Sequence, residues 1–373
     1  MIVKSFAKIN LSIDVGPLDD NGYHRVDMVM QQLSFHDDVT VEYMPSDPGP
    51  EDCGTASGDG GSFDIEVSTN RYYLPVDRRN LAYQAAELMA ELVSDGPSGG
   101  SGQDSAQSGH SDDKSYGSAQ SGHSDDKSYG SAPGSEGPVH VRPGKIKISI
   151  RKRIPVAGGL AGGSGNAAAV LHALNIIWDL GLSLSELMDL GAKLGSDVPF
   201  CVMGQARSNR DFPEYIRKDK LAASCARATG RGTELVPVTP LDSWMVISKP
   251  RFSVSTKEVY EGIDGKEITG RPDNDRLVKC MAEKARNTRH RSAHPDADLY
   301  RDFINVLEEY TLESYPEVAE LKKKMLGAGA RFALMSGSGP TVFGIFGSMS
   351  EAEKAAEKLR AEGLEAYWTR TAI

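Results

Sequence analysis

The chain of 373 residues is 39% hydrophobic and 25% charged, the composition of a soluble folded protein with room for two or three packed units. Its formal net charge of −10 argues against general nucleic-acid or acidic-membrane binding, which needs a basic surface, so an anionic substrate must be held by local donors. Cys53, Cys201, Cys225 and Cys280 form no CxxC pair, which speaks against a zinc site or a disulfide framework and for a reducing compartment. The first ten residues lack the apolar core of a signal peptide, and no apolar run approaches membrane-spanning length. A cytoplasmic protein with no membrane partner is expected.

Residues 3–15 alternate as a strand, Asn21-Gly22 is a hairpin signal, and residues 23–35, 39–43 and 63–67 read as further strands. Lys8 lies inside the first strand, where spacing alone makes it a solvent-facing lysine. Residues 80–93 are helical, with Leu81, Ala85, Leu88, Met89 and Leu92 on one face and Asn80 at the N-cap. Residues 95–137 differ sharply. They are rich in Gly, Ser and Asp, and Ser105–Gly117 is repeated as Ser118–Gly130. Such a segment cannot bury a shared face or offset the entropy of ordering, so a disordered insertion is expected, its His110 and His123 solvated rather than metal-binding. With seven acidic residues and two lysines it carries half of the net charge, leaving the folded part only mildly acidic.

An alternating strand over 145–150 leads into Pro155-Val-Ala-Gly-Gly-Leu-Ala-Gly-Gly-Ser-Gly-Asn-Ala-Ala-Ala169, and a helix over 167–180 follows. Strand, glycine loop and helix in that order can cradle a phosphate, because glycines admit close backbone approach and the N–H groups of the first helical turn point at the anion. No lysine follows the glycines, which excludes a Walker loop. Gly163-Ser-Gly-Asn-Ala-Ala168 matches a dinucleotide fingerprint, but a second helix from Ser183 stands where that fold needs a strand ending in an acidic residue. Ser183 and Glu186 have capping-box spacing, and Asp197 sits between this helix and an expected apolar strand, where turn chemistry also explains it.

Residues 205–226 read as a second insertion or long loop, and 235–238 and 245–247 as strands. Residues 254–262 and 277–286 look helical, 287–298 form a polar loop, and 299–326 give two helices joined near Tyr315-Pro316. The remainder reads strand, second glycine loop (Ser336-Gly-Ser-Gly-Pro340), strand, helix, strand, which is an α+β arrangement with helices on one face of an antiparallel sheet.

Four stretches now stand together: Ala7-Lys-Ile-Asn-Leu11 with Asp20-Asn-Gly-Tyr-His24, Pro155–Ala169, Gly195-Ser-Asp-Val-Pro199, and Met335-Ser-Gly-Ser-Gly-Pro-Thr341. In kind and order they resemble the GHMP kinases over the whole chain, the two insertions apart. The first and third are most similar to the branch of that family that acts on a cytidine-diphosphate-linked methylerythritol, and differ from homoserine and mevalonate kinases. The resemblance implies an α+β, two-lobed fold: a ribosomal protein S5-like N-terminal lobe over 1–240 and a ferredoxin-like C-terminal lobe over 241–373. It also implies a small-molecule phosphotransferase of the non-mevalonate isoprenoid route, using ATP with Mg2+ brought by the nucleotide, as a monomer or homodimer. Another small-molecule kinase of the family, or an inactive nucleotide-binding member, remains the alternative.

By resemblance, Lys8 and Asp197 are the catalytic pair, Asp197 accepting the hydroxyl proton and Lys8 orienting it and stabilising developing charge. Asn10, two residues along the strand from Lys8, contacts the substrate hydroxyl. Tyr23 and His24 bind the cytosine base, Tyr260 closes it from the opposite side, and Thr256 contacts substrate. Asn80 lies beside the adenine. Pro155, Val156, Ala157, Gly158, Gly159, Leu160, Ala161, Gly162, Gly163, Ser164 and Asn166 form the ATP loop, while Gly337, Ser338 and Gly339 shape the substrate and phosphate region. Two positions depart from many relatives: Gly165 follows Ser164 where a serine or alanine is common, and Met30 stands where some have a phenylalanine in the cytidine pocket.

Overall fold

The computed structural model describes residues 1–18, 22, 24–46, 62–94, 141–286 and 297–373. The duplicated insertion, Tyr23, Asn21 of the hairpin signal and most of the 287–298 loop lie outside the described residues.

The chain starts as two long antiparallel strands, β1 (Ile2–Leu18) and β2 (His24–Pro45), with register slips after Phe6, Asn10 and Val15. The expected break between residues 35 and 39 does not occur. Asp37, within that gap, is wholly buried, its carboxylate accepting from the Arg153 and Ile154 amides and pairing with the buried Lys152 ammonium. Those partners come from far along the chain, so local composition gives no sign of them.

β2 is the axis of the first sheet. Its first half pairs with β5 (Cys225–Thr229) and its second half with β4 (Gly144–Arg151), while β1 runs along it throughout. β3 (Asp64–Thr69) adds in parallel to β4, and β6 (Glu234–Pro237) in antiparallel to β5. The longer helices described in the same half are α1 (Leu81–Ser94), α2 (Gly162–Ile177), α3 (Leu184–Leu194) and α4 (Val198–Ser208). α2 is buried on nearly every side, and Ala167, Ala168 and Ala169 let its neighbours approach closely. The Ser183–Glu186 capping box forms as expected and starts α3.

Two expectations fail here. Residues 198–203 form the start of α4, with Pro199 in its first turn, rather than a strand; a short run that is apolar on all sides has no periodicity to tell the two apart. Residues 205–226 are not an appended insertion. Gln205–Ser208 complete α4, a short helix α5 (Glu214–Arg217) follows, and Phe212 and Ile216 are buried in the core, with the Phe212 ring 4.8 Å from His172. Two apolar anchors among polar neighbours hold this stretch in the core.

The second sheet is wholly antiparallel, in the order β10 (Glu365–Arg370), β7 (Trp244–Lys249), β9 (Val342–Phe346), β8 (Phe332–Met335). Around it lie α6 (Thr256–Ile263), α7 (Asn274–Arg286), α8 (Ala297–Tyr300), α9 (Glu308–Ser314), α10 (Pro316–Gly327) and α11 (Met349–Ala361). The two helices expected over 299–326 both form and meet at Tyr315-Pro316, but the first begins only at Glu308. Residues 301–307 instead run beside β1, where the amides of Ile13 and Val306 donate to the carbonyls of Ile304 and Ile13. Gln31, on β2, donates to the Ala372 carbonyl and accepts from the Leu241 amide. β1 and β2 therefore hold both halves of the molecule. Among the described residues no helix is long and apolar enough to cross a membrane.

Candidate active site

The slips in β1 flank Lys8 and Asn10. Lys8 is not the solvent-facing residue that spacing suggests; it is 4% exposed. Its Nζ donates to Asn10 Oδ1 at 2.8 Å and stands 3.6 Å from Asp197 Oδ1, while its main-chain N–H donates to the Leu160 carbonyl in the glycine loop. One strand residue thus touches the acid, the amide and the loop. Asp197 occupies the N-cap of α4 but makes no capping bond with its side chain, so the carboxylate stays available and about one-third exposed. The positive end of α4 favours its negative charge. That charge reaches two neighbours already affected by burial: the Tyr260 hydroxyl is pushed up to about 12, and the Cys201 thiol is also raised.

The glycine loop and the start of α2 are one unit. α2 begins at Gly162, earlier than the alanine run suggests. Ala161, its N-cap, is left-handed (φ 54°) and offers no side-chain cap, so the first-turn N–H groups of Gly162, Gly163 and Ser164 face outward as a ready anion site. Ahead of them, Pro155, Val156 and Ala157 carry the chain out of β4, and Ala157 is also at positive φ. Gly159 sits at φ 73°, and a Cβ there would collide with the Ser336 carbonyl oxygen, whose own hydroxyl donates to the Gly159 carbonyl. Asn166 is buried. Asn80 caps α1, accepting from the Ala82 amide and donating to the Pro75 carbonyl. The next residue, Leu81, packs beside Gly163, which brings the start of α1 to the loop.

The second glycine loop meets the first. Gly337 (φ 60°) presses on Gly159, its missing Cβ lying 3.3 Å from Gly159 Cα and 3.7 Å from Asn10 Oδ1; Gly339 is also at positive φ. Ser338 Oγ is 2.9 Å from Thr256 Oγ1 at the start of α6. One turn further, the Tyr260 ring lies 5.7 Å from His24, tilted by 42°. His24 Nδ1 donates to the Gly16 carbonyl at 3.0 Å, and its Nε2 lies 3.5 Å from Asp264 Oδ1. Tyr23 lies outside the described residues. Met30 is fully buried in the cluster with Phe200 and Met203, while Met28, two residues before it, places its sulfur 3.2 Å from Asn10 Nδ2.

Three residues that hold the site escaped the sequence. Asn305 donates to the Met335 and Gly337 carbonyls, Glu308 accepts from the Met335 amide, and Glu258 accepts from the Tyr310 and Tyr315 hydroxyls and so fixes α6. None lies in a motif, and each acts across a large sequence separation.

Comparison with known proteins shows the family. The model of the GHMP kinases N terminal domain matches residues 132–205, and that of the GHMP kinases C terminal domain matches residues 275–365. A relative from Alkaliphilus metalliredigens (strain QYMF), 4-diphosphocytidyl-2-C-methyl-D-erythritol kinase, is 36% identical over 361 residues, covering 96% of this chain and 91% of the relative. The chain belongs to the GHMP kinase family. A second GHMP relative, the kinase of the same name from Geobacillus kaustophilus (strain HTA426), is 36% identical over 359 residues, 96% of this chain and 92% of its own. Among solved structures, a 4-(cytidine 5'-diphospho)-2C-methyl-D-erythritol kinase superposes over 100% of both chains with a TM-score of 0.65 at 24% identity. A homoserine kinase from Cytophaga hutchinsonii gives 0.55 at 13% identity, covering 100% of this chain and 95% of that one. Both share the GHMP kinase fold. As a GHMP kinase the chain is a small-molecule phosphotransferase, and its two sheets belong to the two domains of that fold.

Proposed function

We propose that the chain transfers the γ-phosphoryl group of ATP to the 2-hydroxyl of 4-(cytidine 5'-diphospho)-2-C-methyl-D-erythritol, a step of non-mevalonate isoprenoid synthesis in the cytoplasm. The observation that carries this reading is the Lys8–Asn10–Asp197 cluster, placed where the two glycine loops touch. The names of the full-length relatives support the acceptor.

In this reading the triphosphate lies on the N-terminal turn of α2, with the γ-phosphate toward Lys8. The acceptor hydroxyl sits between Asn10 and Asp197. Asp197 takes its proton as the hydroxyl oxygen attacks phosphorus, and Lys8 neutralises charge developing on the transferred group. This is catalysis by position and electrostatics, as phosphoryl transfer requires. Asp197 is the one carboxylate of the cluster, and among the described residues no group of three His, Cys, Asp or Glu could hold a metal ion by itself. Such a set suits magnesium carried by the nucleotide phosphates, which supplies charge neutralisation when bound. His24, Tyr260 and Thr256 form the base-side wall.

The test is ADP release by the purified chain with CDP-methylerythritol, homoserine or mevalonate as acceptor. Turnover on the first at least 100-fold above the others is expected. Comparable turnover on another acceptor, or nucleotide binding without turnover on any, overturns the proposal.

A further inference from the structure

The first glycine loop follows β4 of the first half, yet it rests on the second. Gly158 is backed by Lys249 and Thr341, the residues at the end of β7 and just before β9, two strands that pair side by side through Ser248 and Val342. A Cβ on Gly158 would lie 2.6 Å from Thr341 Oγ1 and 3.2 Å from Lys249 Cδ. Among the described residues, Thr341 Oγ1 is buried with no hydrogen-bond partner.

Lys249 is 7% exposed. Among the described residues it forms no ion pair within 4.0 Å; its ammonium donates instead to two main-chain carbonyls, Pro250 at 3.2 Å and Phe252 at 2.7 Å. Burial holds its pKa below the ordinary lysine value, and the negative charge of Glu365, opposite it on β10, offsets this in part. A buried charge satisfied only by carbonyls carries a desolvation cost, and a purely structural role here would be filled as well by an apolar side chain.

The carbonyls it holds belong to the turn that enters α6. The Phe252 ring stacks on Tyr315 at 5.7 Å, and the Tyr315 hydroxyl donates to Glu258 on α6. Ser255 then caps α6, whose first residue, Thr256, meets Ser338 of the second glycine loop. A continuous path of packed and hydrogen-bonded groups therefore runs from Gly158 through Lys249 and Phe252 to Thr256 and Tyr260.

We propose that Lys249 is a positioning residue that couples the nucleotide loop to the α6 wall of the acceptor pocket, so that filling one site favours the other. This rests on the assignment of the first loop to nucleotide and of α6 to the cytidine-bearing acceptor. A shift of Gly158 on its platform moves the lysine stem, and the ammonium carries the shift into the 250–252 turn. Coupling of this kind must be reciprocal.

The experiment is calorimetric binding of a non-hydrolysable ATP analogue to the full chain, with and without saturating CDP, and of CDP with and without the analogue. In the wild type each ligand is expected to tighten the other by about fivefold or more. Lys249→Met keeps the apolar stem under Gly158 and removes the ammonium. It should bind each ligand alone within about twofold of wild type, with coupling below about twofold, and Lys249→Arg should restore the coupling. An unchanged coupling ratio in Lys249→Met, or no coupling in the wild type, overturns the proposal. If Lys249→Met fails to fold, amide exchange in the wild type decides: the ATP analogue alone must slow exchange across residues 252–260, and unchanged exchange there refutes the coupling. Failure of CDP to bind the wild type at all is a separate result that counts against the acceptor assignment, and the exchange measurement still tests the coupling.

Discussion

Lys8 and Asp197 face each other at 3.6 Å from opposite surroundings, the ammonium buried and the carboxylate open on one side. The arrangement fixes the cation and leaves the acid accessible to an incoming hydroxyl. Asp197→Asn should lower kcat by about 100-fold or more, within the range of general acid–base catalysis. Because the Asp197 side chain caps nothing in α4, thermal stability should change little. ADP release and a melting curve on the same preparation check both, and near-wild-type turnover would remove Asp197 from the role of base.

Asp37 and Lys152 form a buried pair that ties β2 to the segment after β4. Asp37→Asn keeps acceptors for the Arg153 and Ile154 amides but leaves the Lys152 charge uncompensated. Breaking such a pair costs about 3–5 kcal/mol. Urea unfolding should show a loss of that order, and a loss below about 1 kcal/mol would mean that the strand is held through residues 36–38 by something else.

These two pairs show what the sequence does and does not reveal. Glycine loops and alternating strands are local patterns, so β1, the α2 loop, the Ser183 cap and the C-terminal strand–loop–strand–helix–strand order were legible. The pairing of Lys8 with Asp197 was legible only through resemblance, since spacing alone placed Lys8 in solvent. Asp37 fell in the expected break between two strands because its partners come from the segment before the glycine loop. Phe212 and Ile216 were lost in a polar stretch, and Asn305, Glu308 and Lys249 carry no motif. Each of these misses is a side chain whose environment is made by a distant part of the chain.

Gly159→Ala should disable the site without unfolding the protein. The new methyl meets the Ser336 carbonyl at a backbone angle that alanine avoids, so both loops must move. A displacement of about 1 Å at reacting groups costs on the order of 100-fold, and kcat/KM should fall by that much. Steady-state kinetics beside a far-ultraviolet circular dichroism spectrum separates this from misfolding.

His172, wholly buried on α2, donates through Nε2 to the Val202 carbonyl, and burial lowers its pKa from 6.5 to about 4. The folded chain keeps it neutral, while the unfolded chain protonates it below pH 6.5. Its contribution is therefore complete above pH 6.5 and is lost as pH falls toward 4, roughly 3 kcal/mol in all. His172→Gln retains a donor and removes the titration, so its stability should fall less between pH 7 and pH 4.5 than that of the wild type. Parallel pH profiles of the two proteins would contradict this.

None of the positions assigned to nucleotide or acceptor falls within residues 96–136. Deleting them should leave kcat and both KM values within about twofold. A collapse of activity or solubility would assign that segment a role of its own.

The atoms that a Cβ on Gly159 would meet first, the carbonyl of Ser336 and the nitrogen of Gly339, all belong to the main chain. A substitution at Gly159 therefore has no neighbouring side chain that can shrink to make room. In a genetic selection for restored growth of a Gly159→Ala strain, intragenic second-site suppressors should be absent from the facing loop, and survivors should carry true reversions. The place where the two halves meet is thus a point at which the gene can change only by changing back.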